Sequence, residues 1–276
     1  MAVLFGAALH AGWNALAKAG GGADGDPLVD TTAILLAGAF LSVLALPFLP
    51  LPAPASWPFI LASGLIHVLY FRLVAAAYRS GDMSLAYPLS RGTAPLLTAL
   101  ASGSLLGEVL GFWSIAGVVL TCGGVLAMLA ATRGRFEWHT AGFALANALV
   151  IAVYTLVDGV GARRSASPVA YTFAGIVASA LFFVPLVWPR HGPAIRLALA
   201  RRWHFNLGGG AAIIGSYAVA LWAMTHAPIA TVAALRECSI LFGILIARVL
   251  LGEQPHKARI VGGVLILGGA AALRLG

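Results

Sequence analysis

The sequence predicts an all-α integral membrane protein with ten transmembrane helices, arranged as a 5+5 inverted-topology repeat. The chain of 276 residues is 61% hydrophobic and only 9% charged, whereas soluble domains carry roughly 25% charged residues. Its mean hydropathy of +0.95 and its long apolar stretches indicate a hydrocarbon environment. An internal sequence repeat is the third observation, and it predicts the division into two halves.

Ten stretches approach the length of roughly 20 apolar residues that a helix needs to cross the hydrocarbon. Glycine-rich, proline-rich or charged connections separate them, and because most connections are short we expect antiparallel neighbours in a compact bundle. No segment remains for a soluble domain. The predicted spans are 2–18, 30–49, 57–78, 83–106, 111–130, 139–160, 167–188, 204–225, 228–250 and 257–274.

The internal repeat relates positions that are 145 residues apart, so that Arg91 falls on Arg236. We predict one five-helix repeat in residues 1–132 and a second in 133–276. Since each repeat has an odd number of helices, the two insert in opposite orientations, which is common in secondary transporters with a site at the repeat interface. The shift also carries Leu106-Gly107-Glu108, Gly117 and Gly123-Gly124 onto Leu251-Gly252-Glu253, Gly262 and Gly268-Gly269.

The net charge of +8 would suggest a nucleic-acid partner in a soluble protein. Here most Lys and Arg lie in short connections, where they orient the helices. Their distribution predicts both termini outside, which is the periplasm for a bacterial inner (plasma) membrane protein. Cys122 and Cys238 lie inside apolar segments, so the sequence indicates no disulfide, metal site or cofactor. We expect a monomer that contacts lipid and a small-molecule substrate but no nucleic acid.

Charged side chains inside predicted spans are the strongest indication of a functional site. An arginine at the centre of a membrane helix costs roughly 2.5–3.5 kcal/mol to insert and usually faces a cavity or a partner. Adjacent helical residues point about 100° apart, so Arg236 and Glu237 are poor partners for each other. We predict that Glu237 pairs with Arg91 or with Lys18. The alternative interpretation is a structural ion pair that only holds the two repeats together.

Aromatic and polar side chains that share helix faces are the other candidates for substrate binding. In the first helix Trp13 and Asn14 are predicted to line a cavity together with His10, although interhelical hydrogen bonding is an alternative. An interfacial aromatic belt is an equal alternative for Tyr78, as is plain packing for Tyr217 and Trp222. Asp158 can share one helix face with Asn147 and Tyr154, but a surface ion pair with Arg163 or Arg164 is the favoured interpretation. The candidates from the later helices are His67, Phe71, Tyr78, Tyr87, Tyr154, Tyr217 and Trp222.

The chain carries no phosphate-binding loop and no HExxH, GxSxG or CxxC motif, so we predict no enzymatic activity. Its doubled pattern is Leu-Gly-Glu, then Gly nine residues on, then Gly-Gly six further. Over essentially the whole chain this pattern resembles the EamA-type members of the drug/metabolite transporter superfamily. The resemblance implies a 5+5 inverted repeat with a central cavity between helices 1, 3, 4, 6, 8 and 9. It also implies export or exchange of small metabolites, amino acids among them.

We therefore expect a secondary transporter or exporter of small metabolites, above all of aromatic or other hydrophobic amino acids, that works by alternating access. An aromatic-lined cavity with few charges fits an amino acid, whose own charges need Arg236, Glu237 or Asn14. One alternative is another small solute, such as a drug-like cation or a sugar phosphate. A lipid-modifying enzyme and a non-transporting membrane protein are remote alternatives. Proton coupling through Glu237 or His67 is compatible with the sequence, but no motif requires it.

Overall fold

The computed structural model describes residues 1–21, 26–80, 83–131, 138–251 and 256–275, and every regular element within these ranges is helical. Seven helical segments in this part of the chain are long and apolar enough to cross a membrane, as predicted for an all-α membrane protein. The α-helices are α1 (Ala2–Gly21), α2 (Pro27–Ala45), α3 (Trp57–Ser80), α4 (Met83–Leu106), α5 (Phe112–Ala127), α6 (Trp138–Arg164), α7 (Pro168–Arg201), α8 (Trp203–Met224), α9 (Ile229–Arg236), α10 (Ser239–Leu251) and α11 (Lys257–Leu275).

The ninth predicted span, 228–250, agrees with an apolar helical stretch, Ile229–Ile246, that is long enough to cross a membrane, but the helix is interrupted within this stretch. α9 ends at Arg236 and α10 begins at Ser239. Between them, the amides of Glu237 and Cys238 donate to carbonyls three residues back, at 3.1 Å each, instead of four. Such a tighter turn within a helix often marks a hinge or a functional position. The break therefore falls at the charged residues that the sequence singles out.

The seventh predicted span, 167–188, is too short. α7 continues to Arg201 and is 34 residues long. Pro185, Pro189 and Pro193 lie inside the helix and do not end it. Their spacing of four keeps them near one helix face. At 1.5 Å per residue the helix is about 50 Å long, so it extends well beyond a hydrocarbon core of about 30 Å.

Glycines bring α5 and α11 into direct backbone contact. A Cβ atom on Gly124 would lie 2.6 Å from the carbonyl oxygen of Gly262, and one on Gly117 would lie 2.9 Å from that of Gly269. Glycine at these positions lets the two backbones approach closely, as small residues do in membrane bundles. Gly123, by contrast, has no neighbouring atom within 4 Å of such a Cβ. Only one member of the Gly123-Gly124 pair therefore forms the contact.

The other helices also pack in pairs that join early and late parts of the chain. α1 packs against α8, α3 against α6, and α2 against α7. α4 lies against α5, α6 and α9. A buried apolar cluster that includes Tyr171, Leu221, Met224 and Ile229 fills the end of the bundle where α6 and α8 finish and α9 begins. Arg91 of α4 and Glu237, which follows α9, are both buried in the packed bundle.

Candidate functional site

Arg91 of α4 and Glu237 at the end of α9 form a buried ion pair. The Arg91 Nη2 atom lies 2.9 Å from Oε1 of Glu237, and Arg91 Nε donates to Oε2 at 3.1 Å. Only 8% of Arg91 and 3% of Glu237 is exposed. The predicted pairing of Glu237 with Arg91 is confirmed. Because a charge left alone in such a site is strongly unfavourable, the pair ties α4 to α9.

Arg236 lies beside this pair and contacts an aromatic ring instead of a carboxylate. Its guanidinium carbon lies 5.2 Å from the ring centroid of Tyr217, within the range of a cation–π interaction. In the described part of the chain no carboxylate forms an ion pair with Arg236. The arrangement therefore keeps one positive charge available next to a neutralised pair.

A cluster of rings adjoins Arg236. The ring centroid of His67 in α3 lies 4.5 Å from that of Tyr154 in α6 and 6.4 Å from that of Tyr217 in α8. Tyr70, a neighbour that was not among the predicted site residues, lies 5.7 Å from Tyr154. His67 Nδ1 donates to the Ser63 carbonyl at 2.8 Å, which fixes the orientation of the ring. Three separate helices thus contribute one aromatic surface, which we call the ring cluster (His67, Tyr70, Tyr154 and Tyr217).

A small void separates the ion pair from the ring cluster. Its volume is about 10 Å³, roughly the space of one water molecule. An amino acid or any other metabolite does not fit into it, so the described conformation is contracted around its charged groups. The void is lined by Arg91, Ala94, Pro95, Thr98, Ile151, Tyr154, Thr155, Ala233, Arg236 and Glu237.

A larger cavity of about 410 Å³ lies elsewhere, between α2, α7 and α8. Apolar side chains line it, among them Phe40, Trp188 and Trp203, and Asn206 is its only polar residue. Phe40 and Trp203 are more than half exposed, so the cavity opens at the outer surface of the bundle. None of the predicted site residues lines it, and it offers no charge for a polar substrate. The group around Arg236 is therefore the candidate site.

The expected surface ion pair of Asp158 with Arg163 or Arg164 is wrong. Asp158 is only 1% exposed; it accepts a hydrogen bond from the Tyr171 hydroxyl at 2.8 Å and another from the Tyr217 hydroxyl. The physical reason is the length of α6, which continues to Arg164 and places Asp158 more than a turn inside the helix. Two tyrosines from α7 and α8 supply the polar partners that the prediction assigned to surface arginines.

Arg163 pairs instead with Glu108, and we call this the outer contact. Arg163 Nη2 lies 2.6 Å from Glu108 Oε1, and Arg163 Nε donates to the Met224 carbonyl at 2.8 Å. Glu108 also accepts from the backbone amide of Ile229 at 3.0 Å and so caps the first turn of α9. Gly107, at φ +66°, makes the preceding turn in a conformation that favours glycine. The outer contact joins the ends of four helices.

The remaining predicted site residues are distributed unevenly. His10 and Tyr87 are partly buried and lie within the electrostatic reach of Arg91. Phe71 packs against Phe183 behind the ring cluster, with the two ring centroids 4.6 Å apart. Trp222 does not join the group, because it is 46% exposed and its ring lies 4.7 Å from that of His226. The predictions for the side chains of Trp13, Asn14, Lys18 and Tyr78 lie outside the described residues.

Comparison with known proteins places this architecture in a family. No curated protein matches the chain. A solved structure described as "Crystal structure of protein" is 21% identical, with a TM-score of 0.75 over 99% of this chain and 95% of that one, and it shares the fold. The model of the EamA-like transporter family matches residues 1–130 and 139–275. The chain therefore belongs to the EamA-like transporter family, whose members are membrane transporters of small solutes.

Proposed function

We propose that the protein is a secondary transporter of small metabolites, and that its substrates are amino acids with aromatic or other hydrophobic side chains. The observation that carries this proposal is the position of Arg236 and Glu237, two opposite charges at a helix break beside the ring cluster. A substrate carboxylate matches Arg236, since arginine binds planar anions well. A substrate ammonium group matches Glu237, and an aromatic side chain matches the rings.

The proposed architecture is the 5+5 inverted repeat, with residues 1–132 and 133–276 as its halves and with α9 and α10 together forming one of ten crossings. The helix pairings support it. Under the 145-residue shift α1 corresponds to α6 and α3 to α8, so the α1–α8 contact becomes the α6–α3 contact. The same shift relates α2 to α7 and α5 to α11. The α2–α7 contact therefore maps onto itself, and so does the α5–α11 contact. With a two-fold relation of this kind we expect the shared site near the middle of the bilayer.

The size of the void supports alternating access. A space of about 10 Å³ has to widen before an amino acid enters, and the walls that line it are α4, α6 and α9. In the proposed cavity His10, Phe71 and Tyr87 add to the wall, with Trp13, Asn14 and Tyr78 as further proposed contacts. The proposal keeps the protein in the inner membrane as a monomer with both termini periplasmic, the orientation that the loop charges favour.

A binding screen followed by a flux assay tests the proposal. Purified protein is heated with L-phenylalanine, with glucose phosphate or with tetraphenylphosphonium, and the melting temperature is recorded. We expect L-phenylalanine alone to raise it. Arg236→Gln should weaken L-phenylalanine binding about 10- to 100-fold, since a hydrogen bond between charged groups contributes about 1.5–3 kcal/mol. The matched control is Arg248→Gln, which removes an exposed arginine near the far end of α10.

Two outcomes would contradict the proposal. One is stabilisation by glucose phosphate or tetraphenylphosphonium but not by L-phenylalanine, which would move the substrate to another class. The other is equal binding by Arg236→Gln and Arg248→Gln, which would remove Arg236 from the site. Uptake of labelled L-phenylalanine into proteoliposomes then separates a transporter from a membrane protein that only binds it.

A further inference from the structure

We infer that the cavity between α2, α7 and α8 binds an acyl chain of an anionic phospholipid, whose phosphate contacts Arg196 and Arg201 at the cavity rim. This cavity is separate from the group around Arg236, so the inference does not depend on which solute the protein carries. It needs the membrane environment that the family and the apolar helices establish.

The cavity has the size and the chemistry of an acyl-chain site. Its volume of about 410 Å³ falls within the range of about 300–1,000 Å³ that is typical of ligand sites. Leu36, Phe40 and Leu207 are among the apolar side chains that line it. The side-chain amide of Asn206, its polar lining residue, already donates to the Ala198 carbonyl at 3.0 Å. A hydrocarbon chain suits this lining because it needs no hydrogen bond.

The mouth of the cavity lies near the start of α2. His191 Nε2 in the last third of α7 lies 3.6 Å from Asp26 Oδ2. Arg202 Nη1, between α7 and α8, lies 3.4 Å from Asp30 Oδ1. The last turns of α7 thus lie beside the first turn of α2, where its apolar span begins. Trp203 lines the cavity and is 61% exposed. Because tryptophan is enriched at membrane–water interfaces, we expect this mouth at the depth of lipid headgroups.

Two exposed arginines next to the cavity are available to a phosphate. The Arg196 guanidinium carbon lies 5.2 Å from the ring centroid of Trp188, and Trp188 lines the cavity. Arg201 ends α7 two residues after Leu199, another lining residue. Within the described part of the chain neither arginine forms an ion pair, whereas the adjacent Arg202 does. Both guanidinium groups can therefore take a headgroup as their partner.

The charge of this region selects an anionic lipid. Residues 189–202 include four arginines and no Asp or Glu. The carboxylates that contact this segment in the described structure are Asp26 and Asp30 of α2, so two of the four positive charges remain without a carboxylate. Arginine binds phosphate oxygens through charge-assisted hydrogen bonds. Basic pockets between membrane helices bind anionic headgroups in this way, whereas the ammonium group of a zwitterionic lipid gains nothing from two further cations.

The same charge disfavours a second copy of the chain as the occupant of this face. In a two-fold dimer each partner presents the same surface patch. Two copies of segment 189–202 would then bring their unpaired arginines close to each other, and like charges at an interface are unfavourable. A lipid offers the cavity an apolar chain and offers the rim a negative charge.

Headgroup selection is tested by native mass spectrometry on the full chain in detergent. The protein is incubated with equal amounts of dioleoylphosphatidylglycerol and dioleoylphosphatidylcholine, whose acyl chains are identical. We expect the wild type to retain the anionic lipid preferentially. Arg196→Gln and Arg201→Gln should each lower its retention about fivefold. The matched control is Arg164→Gln, which removes an exposed arginine that also stacks on a ring, 4.9 Å from the centroid of Phe59.

The cavity itself is tested by filling it. Leu207→Trp narrows the cavity and should lower the retention of both lipids, whereas Leu181→Trp, at a position of α7 that is 68% exposed and outside the lining, should retain them like the wild type. Melting temperatures near that of the wild type show that the variants fold.

Four results would overturn the inference. Equal retention of the two lipids by the wild type would remove the charge selection. Equal losses in Arg164→Gln and Arg196→Gln would place the lipid elsewhere, and so would full retention by Leu207→Trp. A wild-type dimer that carries no lipid and that Leu207→Trp separates would assign this face to a second copy of the chain.

Discussion

Two helix contacts join distant parts of this chain by different means. α4 meets α9 through the buried Arg91–Glu237 ion pair, whereas α5 meets α11 through glycines whose backbones touch. In a contact made by charges, the charged groups of a substrate can replace the partners of the ion pair. A contact made by shape has no such substitute, because a Cβ added at Gly117 or Gly124 collides with the backbone of α11. In the proposed transport cycle this difference suits α4 and α9 to opening around a substrate, and α5 and α11 to a fixed brace.

The largest expected effect comes from breaking the charged contact on one side. Glu237→Ala leaves the Arg91 guanidinium buried without its partner, and we expect a loss of about 3–5 kcal/mol in the free energy of unfolding. Chemical denaturation in detergent measures it. The control is Arg91→Met combined with Glu237→Met, which should recover most of the stability because no lone charge remains. Equal losses in the single and double variants would show that packing, not charge, holds α4 to α9.

The contact made by shape is tested by adding one methyl group. Gly124→Ala places a Cβ 2.6 Å from the Gly262 carbonyl oxygen, and such overpacking costs about 1–3 kcal/mol. Gly123→Ala adds the same methyl group where no atom lies within 4 Å, so its melting temperature should stay near that of the wild type. Equal melting temperatures for the two variants would mean that the α5–α11 contact yields as readily as the charged one.

The smallest effect is expected at the outer contact, which is charged but more open to solvent. Glu108→Gln weakens the cap of α9 and the ion pair with Arg163, whose side chain is 34% exposed. We expect a loss of about 1 kcal/mol. Added salt should shrink the difference between variant and wild type, because exposed charges are screened. For Glu237→Ala the same salt series should change little, and a parallel response would remove the distinction between the two ion pairs.

The sequence predicts the central ion pair because two kinds of information agree there. The repeat places Arg91 and Arg236 at equivalent positions, and the unfavourable insertion of a charge requires a partner inside the bundle. The bounds of α4, 83–106, also match the prediction, since turn-forming and charged residues flank an apolar stretch in the sequence. Where the apolar composition and the flanking turn-forming residues indicate the same boundaries, the local sequence pattern is sufficient to predict the helix.

Elsewhere the deciding partners are distant in sequence. Asp158 is buried because Tyr171 and Tyr217 donate to it from 13 and 59 positions away, and no local pattern announces those donors. The break between α9 and α10 follows neither a proline nor a glycine, the usual signals for a helix end. α7 shows the opposite error, since its prolines suggest an end where the helix continues.

The separation of Arg91 from Glu237 has a consequence for biosynthesis. The two residues are 146 positions apart, so at about 5–20 residues per second the ribosome completes Glu237 on the order of 10 s after Arg91. During that interval the nascent α4 holds a cation that its final partner does not yet neutralise. An early arrest of translation would therefore leave a fragment in which Arg91 lacks the carboxylate that neutralises it in the complete bundle.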